Sequence, residues 1–182
     1  MIDPIQIIEQ YYPKDSDIHY ILLIHSEHVR DKALAVAARN PDLRLDLDFI
    51  AEAAMLHDIG IFMCNAPRIH CFGTHQYIEH GYLGADLLRK DCATIRHALV
   101  CERHTGTGLP LEEIVARNLP IPRRNMIPQT IEEQIICYAD KFFSKSGQLS
   151  QPKSLTKVRK SLLEYGAAQL ERFDKWHHQF GK

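Results

Sequence analysis

An all-α fold is the first expectation the chain raises, and three observations raise it. Apolar residues recur three and four apart over most of the 182 residues, the spacing of helices with one buried face. Alternating strand patterns are nearly absent. The breaks between apolar runs carry helix punctuation, namely Pro13, Asn40-Pro41, Gly60, Gly106, Gly108 and the group Pro120, Pro122 and Pro128.

The elements follow in order. A short amphipathic helix is predicted from about Pro4 to Tyr12 and is ended by Pro13. Asp15, Ser16 or Asp17 can cap the next, which runs to about Arg39 with the stripe Ile18, Ile21, Leu22, His25, Val29, Ala33 and Val36. Asp46 or Asp48 caps a third helix, which ends Ala53-Ala54-Met55-Leu56-His57-Asp58-Ile59-Gly60. Gly60 reads as its stop, because glycine accepts the left-handed conformation that closes a helix. Residues Ile61 to His75 read as a loop holding Cys64, Arg68, His70, Cys71 and His75, and long loops in compact domains are often functional. Helices are predicted from about Gln76 to Lys90, from about Cys92 to His104, and from Leu111 to Asn118. Thr130 and Glu133 make a capping box for a helix with the apolar face Ile135, Ile136, Ala139 and Phe143, and Asp140 falls among those residues. One last helix starts at about Ser154, with the stripe Leu155, Val158, Leu162, Tyr165, Phe173 and Trp176.

Composition adds bounds. Apolar residues make up 45% and charged residues 25%, the balance of a water-soluble globule. A single domain over residues 1–182 is expected, with its core at about 17–144 and a C-terminal packing helix at about 154–180. No apolar run approaches the length of a membrane span, so no membrane partner is expected. The net charge of −1 gives no global field to draw in nucleic acid. Arg123-Arg124 is too short a basic patch to change that. The five cysteines are odd in number and contain no C-x-x-C pair. With no basic and apolar leader at the N-terminus, reduced thiols in a cytoplasmic protein are expected.

The chemistry concentrates in four residues. His25, His57 with Asp58, and Asp140 each lie on the apolar face, or at the inner end, of a separate predicted helix. Buried imidazoles and carboxylates are costly unless something compensates them, and one divalent cation satisfies all four. The alternative for the His57-Asp58 pair alone is a helix end with a cationic histidine and a surface aspartate.

At these residues the chain resembles a known family, the HD-domain metal-dependent phosphohydrolases. The resemblance rests on His25-Ser26-x-x-Val29 with Ala33, on His57-Asp58-Ile59-Gly60 and on Tyr138-Ala139-Asp140-Lys141, and extends from about Asp17 to Ser144. The middle resembles an HDIG-type subgroup through Ile69-His70-Cys71-x-Gly73-x-His75-x-Tyr77-Ile78-x-His80-Gly81, then Gly84-Ala85 and Glu102-Arg103-His104. The resemblance implies an HD-domain-like helical bundle. It implies that His25, His57, Asp58 and Asp140 bind a first divalent metal, with His28 as runner-up for the first position. His80 and His104 match places where some relatives hold a second ion, with Asp58 bridging both. It does not distinguish iron, manganese, magnesium, cobalt, nickel or zinc, or one ion from two.

The implied reaction is hydrolysis of a small, nucleotide-like phosphoester by metal-activated water, with Asp58 at its centre. Arg68, Arg103, Arg124 and Lys141 are the candidates to meet phosphate oxygens. Lys141 stands beside Asp140 and is counted with the catalytic group. His70 or His75 is the candidate proton donor to the leaving group. Where cyclic-dinucleotide relatives have a lysine after the HDIG glycine and a Gly-Tyr-Pro motif, this chain has Ile61 and Thr105-Gly106-Thr107-Gly108-Leu109-Pro110, so that substrate is disfavoured. Two alternatives stand beside hydrolysis, a di-iron oxygenase and a non-catalytic metal-bound sensor; a separate zinc site from Cys64, His70, Cys71 and His75 is disfavoured, because the spacing matches no structural-zinc pattern. Self-association is left open.

Overall fold

Several helices begin where a short polar side chain can cover open backbone N–H groups. In the computed structural model, which describes residues 2–90 and 94–181, Asp3 accepts from Ile5 and Gln6 ahead of α1 (Pro4–Glu9). Ser16 caps α2 (Asp17–Arg39) and Asp46 caps α3 (Leu47–Leu56). Thr130 Oγ accepts from Glu133 N–H at 3.2 Å at the start of α7 (Ile131–Asp140). The expected reciprocal bond is displaced by one residue, since Glu133 accepts instead from Gln129 N–H at 2.9 Å. Between these lie α4 (His80–Leu88), α5 (Ile95–Arg103) and α6 (Leu111–Ala116). The expected start of α5 at Cys92 lies outside the described residues.

Several expectations are corrected. The C-terminal helix is two helices, α8 (Leu155–Tyr165) and α9 (Ala167–Phe180). They part at Gly166, whose φ of 135° is open to glycine and strained for other residues. The break turns Tyr165 out, and it is 63% exposed instead of buried. The loop after α3 is ordered: two 3₁₀ turns flank β1 (Asn65–Ala66), which pairs antiparallel with β2 (Cys71–Phe72). Asn65 N–H donates to His75 C=O at 2.8 Å and His75 N–H to Met63 C=O at 3.1 Å, which ties both ends of the segment together. Likewise the helix expected from Gln76 begins as a 3₁₀ turn, Tyr77–Glu79, before α4 takes over at His80.

α2 packs along α3 and α7, α4 lies against α5, and α8 and α9 form a hairpin whose second arm rests on α7. Two main apolar clusters result. One joins Val29, Ala33, Phe49, Ile50, Ala53, Val100, Ile135, Ile136, Phe173 and Trp176. The other joins Ile8, Tyr12, Leu22, Leu56, Ile59, Ala85, Ala98 and Cys101. α2, α3 and α5 each contribute to both, so His25 falls between Leu22 and Val29 at the seam, and His57-Asp58 falls between Ala54 and Ile59.

Gly60 acts differently from expectation. Its φ of −84° is ordinary right-handed backbone. A Cβ there would lie 2.3 Å from the His80 carbonyl oxygen and 2.5 Å from Gly84 N. The position needs glycine so that the chain leaving α3 can touch α4, which sets the His57-Asp58 turn against His80. Tyr12 fixes the same turn from the other side, donating its buried hydroxyl to Ile59 C=O at 2.7 Å. Among the described residues no helix is long and apolar enough to cross a membrane.

Candidate metal centre

Helix ends build this site. His57 follows the last residue of α3, His104 follows the last of α5, Asp140 closes α7 and His80 opens α4. Only His25 comes from a helix interior. Last-turn carbonyls have no partner within their helix, and His57 and His104 use two of them, while His80 uses the carbonyl of the 3₁₀ turn ahead of α4. His57 Nδ1 donates to Ala54 C=O at 2.6 Å, His80 Nδ1 to Tyr77 C=O at 2.6 Å, and His104 Nδ1 to Cys101 C=O at 2.7 Å. Each bond takes up Nδ1 and turns Nε2 into the cluster, where its lone pair is available once the ring is neutral.

Those lone pairs converge on Asp58. Its Oδ2 lies 2.9 Å from His57 Nε2 and 3.1 Å from His25 Nε2. Asp140 Oδ1 completes this group, 3.1 Å from His25 Nε2 and 3.6 Å from His57 Nε2. On the other side, Asp58 Oδ1 lies 3.3 Å from both His80 Nε2 and His104 Nε2. His25, His57 and Asp58 are fully buried, and His80, His104 and Asp140 nearly so.

This donor set fits divalent cations. Neutral His80 and His104 set their Nε2 atoms 3.0 Å apart with no proton between them, a repulsive contact without a cation to share. Asp58 is fully buried, and outside the imidazoles its charge is met at Oδ2 by the Lys145 ammonium, while Oδ1 accepts no well-directed hydrogen bond, an expensive condition for a carboxylate. Ligand atoms about 2.1 Å from a common ion stand roughly 3.0–3.4 Å apart, which is the spacing found. Two groups each bring their ligand atoms within 4.8 Å of one another: His25, His57, Asp58 and Asp140, and Asp58, His80 and His104.

Electrostatics sets the resting charge. Burial opposes ionisation of Asp58, yet His57 and Lys145 hold its carboxyl well below the usual range. Asp140 behaves alike, with burial overcome by Lys141 and Lys145. Burial also disfavours a charged His57, but Asp58 and Asp140 raise it to about 9. Burial lowers His80 to about 3, helped by His104, and lowers His104 as well. In the metal-free protein a raised His57 stabilises the fold fully below pH 6.5, and that contribution is lost as the pH rises through about 9. A metal needs His57 neutral, so uptake at pH 7 is expected to release about one proton. Apparent affinity should then rise with pH up to about 9. Calorimetry in buffers of different ionisation enthalpy reads this directly, and a buffer-independent heat would contradict it.

The other candidates fall elsewhere. Lys141 lies at the cluster but is engaged, 2.7 Å from Asp140 Oδ2 and donating to His104 C=O at 3.0 Å. Arg103 pairs with Glu133 and Arg124 with Glu102. Arg68 is exposed and makes no ion pair among the described residues. His70 pairs with Asp17 at 3.1 Å and His75 with Glu79 at 3.1 Å, both partly exposed and outside the cluster. His28 stacks on Phe143 and takes no part. Cys64, His70, Cys71 and His75 are not among the groups that could share an ion, and burial pushes the Cys64 and Cys71 thiols up to about 12 and 11.

Sequence reasoning missed Lys145, whose ammonium lies 2.6 Å from Asp58 Oδ2, and Tyr77, whose ring stacks on His80. The signal for Lys145 was a second lysine five residues after Asp140.

Comparison with known proteins bears on the same residues. The family model described as HD domain matches residues 22–144. A tRNA (cytidine(56)-2'-O)-methyltransferase of Thermoplasma volcanium is 32% identical over 155 residues, 85% of this chain and 41% of that protein. A Picrophilus torridus protein of the same name is 29% identical over 159 residues, 87% of this chain and 42% of that protein. An uncharacterized protein of Methanocaldococcus jannaschii is 32% identical over 129 residues, 71% of this chain and 69% of that protein. The chain thus spans about two fifths of the two methyltransferase-named relatives. No solved structure gives a significant match.

Proposed function

This chain belongs to the HD-domain family, and on that footing we propose that it is a metal-dependent phosphohydrolase acting on a small, nucleotide-like phosphoester. One observation carries the reading, a charge balance. Asp58 is paired with Lys145 and Asp140 with Lys141, so the chain's own ammonium groups already neutralise both carboxylates. Any divalent cation held there adds positive charge that the protein does not offset. The loaded site would favour an anion, and a phosphoryl group carries the charge to match.

When bound, such an ion supplies a water that ionises near neutral pH, together with charge for a phosphoryl oxygen. His25, His57, Asp58 and Asp140 would hold one ion, and Asp58, His80 and His104 a second. The Nδ1–H bonds to backbone carbonyls three residues earlier keep three imidazoles aimed. Lys141 fixes Asp140 and, through His104 C=O, ties the first group to the second. His70 and His75 would have to leave Asp17 and Glu79 to protonate a leaving group. The tRNA-methyltransferase name of two longer relatives supports a nucleotide-type ester for a module of this kind. That name describes whole proteins of which this chain spans only part.

The test is a panel of nucleoside monophosphates, cyclic nucleotides and sugar phosphates, run with each of manganese, iron, cobalt, nickel, magnesium and zinc. Release of phosphate or a cleaved ester, lost on chelation, is the expected result. No cleavage under any loading would sink the reading. A mixed-valent di-iron signal in anaerobically purified protein, with no ester cleaved, would replace it with the oxidative one.

A further inference from the structure

Lys145 lies beyond the end of α7, in the connection to α8, and has no part in the ligand sets. Its ammonium nevertheless reaches Asp58 Oδ2 at 2.6 Å, and the Tyr77 phenol lies beside the same ammonium. The Tyr77 ring stacks on His80, with centroids 4.7 Å apart and planes at 24°. This pair therefore spans the cluster, touching the shared carboxylate and the second trio at once. Asp58 is fully buried and the Lys145 side chain nearly so, while Tyr77 reaches the surface.

We propose that Lys145 is a phosphate-binding residue of this site, held in place by Tyr77. The proposal rests on the phosphohydrolase reading and names the side chain that would receive its substrate. An ammonium has three N–H donors, and Asp58 and Tyr77 can take at most two, which leaves one for a further acceptor. Once cations draw on both Asp58 oxygens, the carboxylate holds Lys145 less strongly, and a phosphoryl oxygen becomes its strongest partner. The four-carbon stem allows that short shift. Lys141 is the contrast: its ammonium is bonded to Asp140 and to the His104 carbonyl, so it fixes ligands.

The experiment measures inorganic phosphate binding by calorimetry to manganese-loaded wild type, Lys145→Met, Lys145→Arg and Tyr77→Phe, with manganese stoichiometry determined for each. Lys145→Met should bind manganese at least as tightly as wild type but phosphate about tenfold or more weakly, the loss of one charge-assisted bond. Lys145→Arg should recover most of the phosphate affinity. Phosphate binding by Lys145→Met equal to that of wild type would overturn the proposal and leave the phosphohydrolase reading standing. Wild type that takes up manganese and binds no phosphate would overturn both. If Lys145→Met does not fold, Tyr77→Phe decides: weakened phosphate binding at unchanged manganese stoichiometry supports the proposal, and unchanged phosphate binding overturns it.

Discussion

Replacing Asp58 by alanine is expected to abolish divalent-cation binding at both ligand groups and to lower phosphoester hydrolysis by about a thousandfold or more, because groups that act as a unit are lost together. Both carboxylate oxygens are committed, Oδ2 toward His25 and His57 and Oδ1 toward His80 and His104. No neighbouring side chain can replace a bridge with four imidazoles around it. The variant should also be less stable without metal. Lys145 and a protonated His57 would lose their shared buried partner, and breaking a buried ion pair from one side costs about 3–5 kcal/mol. Metal content by mass spectrometry, hydrolysis rate and urea unfolding measure the three effects. A variant that retains its full complement of ions would remove Asp58 from the centre.

Gly60→Ala is the second large effect, and it comes from a residue that touches no ligand. The added Cβ would sit 2.3 Å from the His80 carbonyl oxygen and 2.5 Å from Gly84 N. Both are backbone atoms, so rotamer changes cannot relieve the clash and α4 must move away from the α3 turn. Overpacking of this kind costs about 1–3 kcal/mol. The functional loss should be selective. His80 moves with α4, so the Asp58, His80 and His104 group should lose its ion, while His25, His57, Asp58 and Asp140 keep theirs. Manganese titration should then show half the wild-type stoichiometry, with a lowered urea midpoint. Unchanged stoichiometry would mean that the two groups do not depend on the α3–α4 contact.

What the chain reveals before folding follows from where the information is local. Caps at Ser16, Asp46 and Thr130 and the stripe from Leu22 to Val36 depend on near neighbours, and they were legible. His25, His57, Asp58 and Asp140 were legible because a ligand-type residue on an apolar helix face is anomalous by itself. His80 and His104 were read only through the family resemblance. One opens a helix after a 3₁₀ turn and the other follows a helix end, so periodicity gave neither an inward direction. The ion pairs of Arg103 and Arg124 were not legible because their partners, Glu133 and Glu102, lie 30 and 22 residues away. Lys145 was missed for the same reason, since its contact returns from an irregular connection to a carboxylate on another helix. Gly166 was overrun because the apolar spacing continues across it, and its φ is a property of the hairpin.

Distant helix ends bring one carboxylate between two sets of imidazoles, where divalent cations would lodge on both sides of it. Anomalous scattering from crystals grown with manganese tests this most directly. The expected result is two peaks flanking Asp58, one among His25, His57 and Asp140 and the other between His80 and His104. No anomalous peak at these side chains, or manganese bound only at the loop histidines His70 and His75, would contradict it.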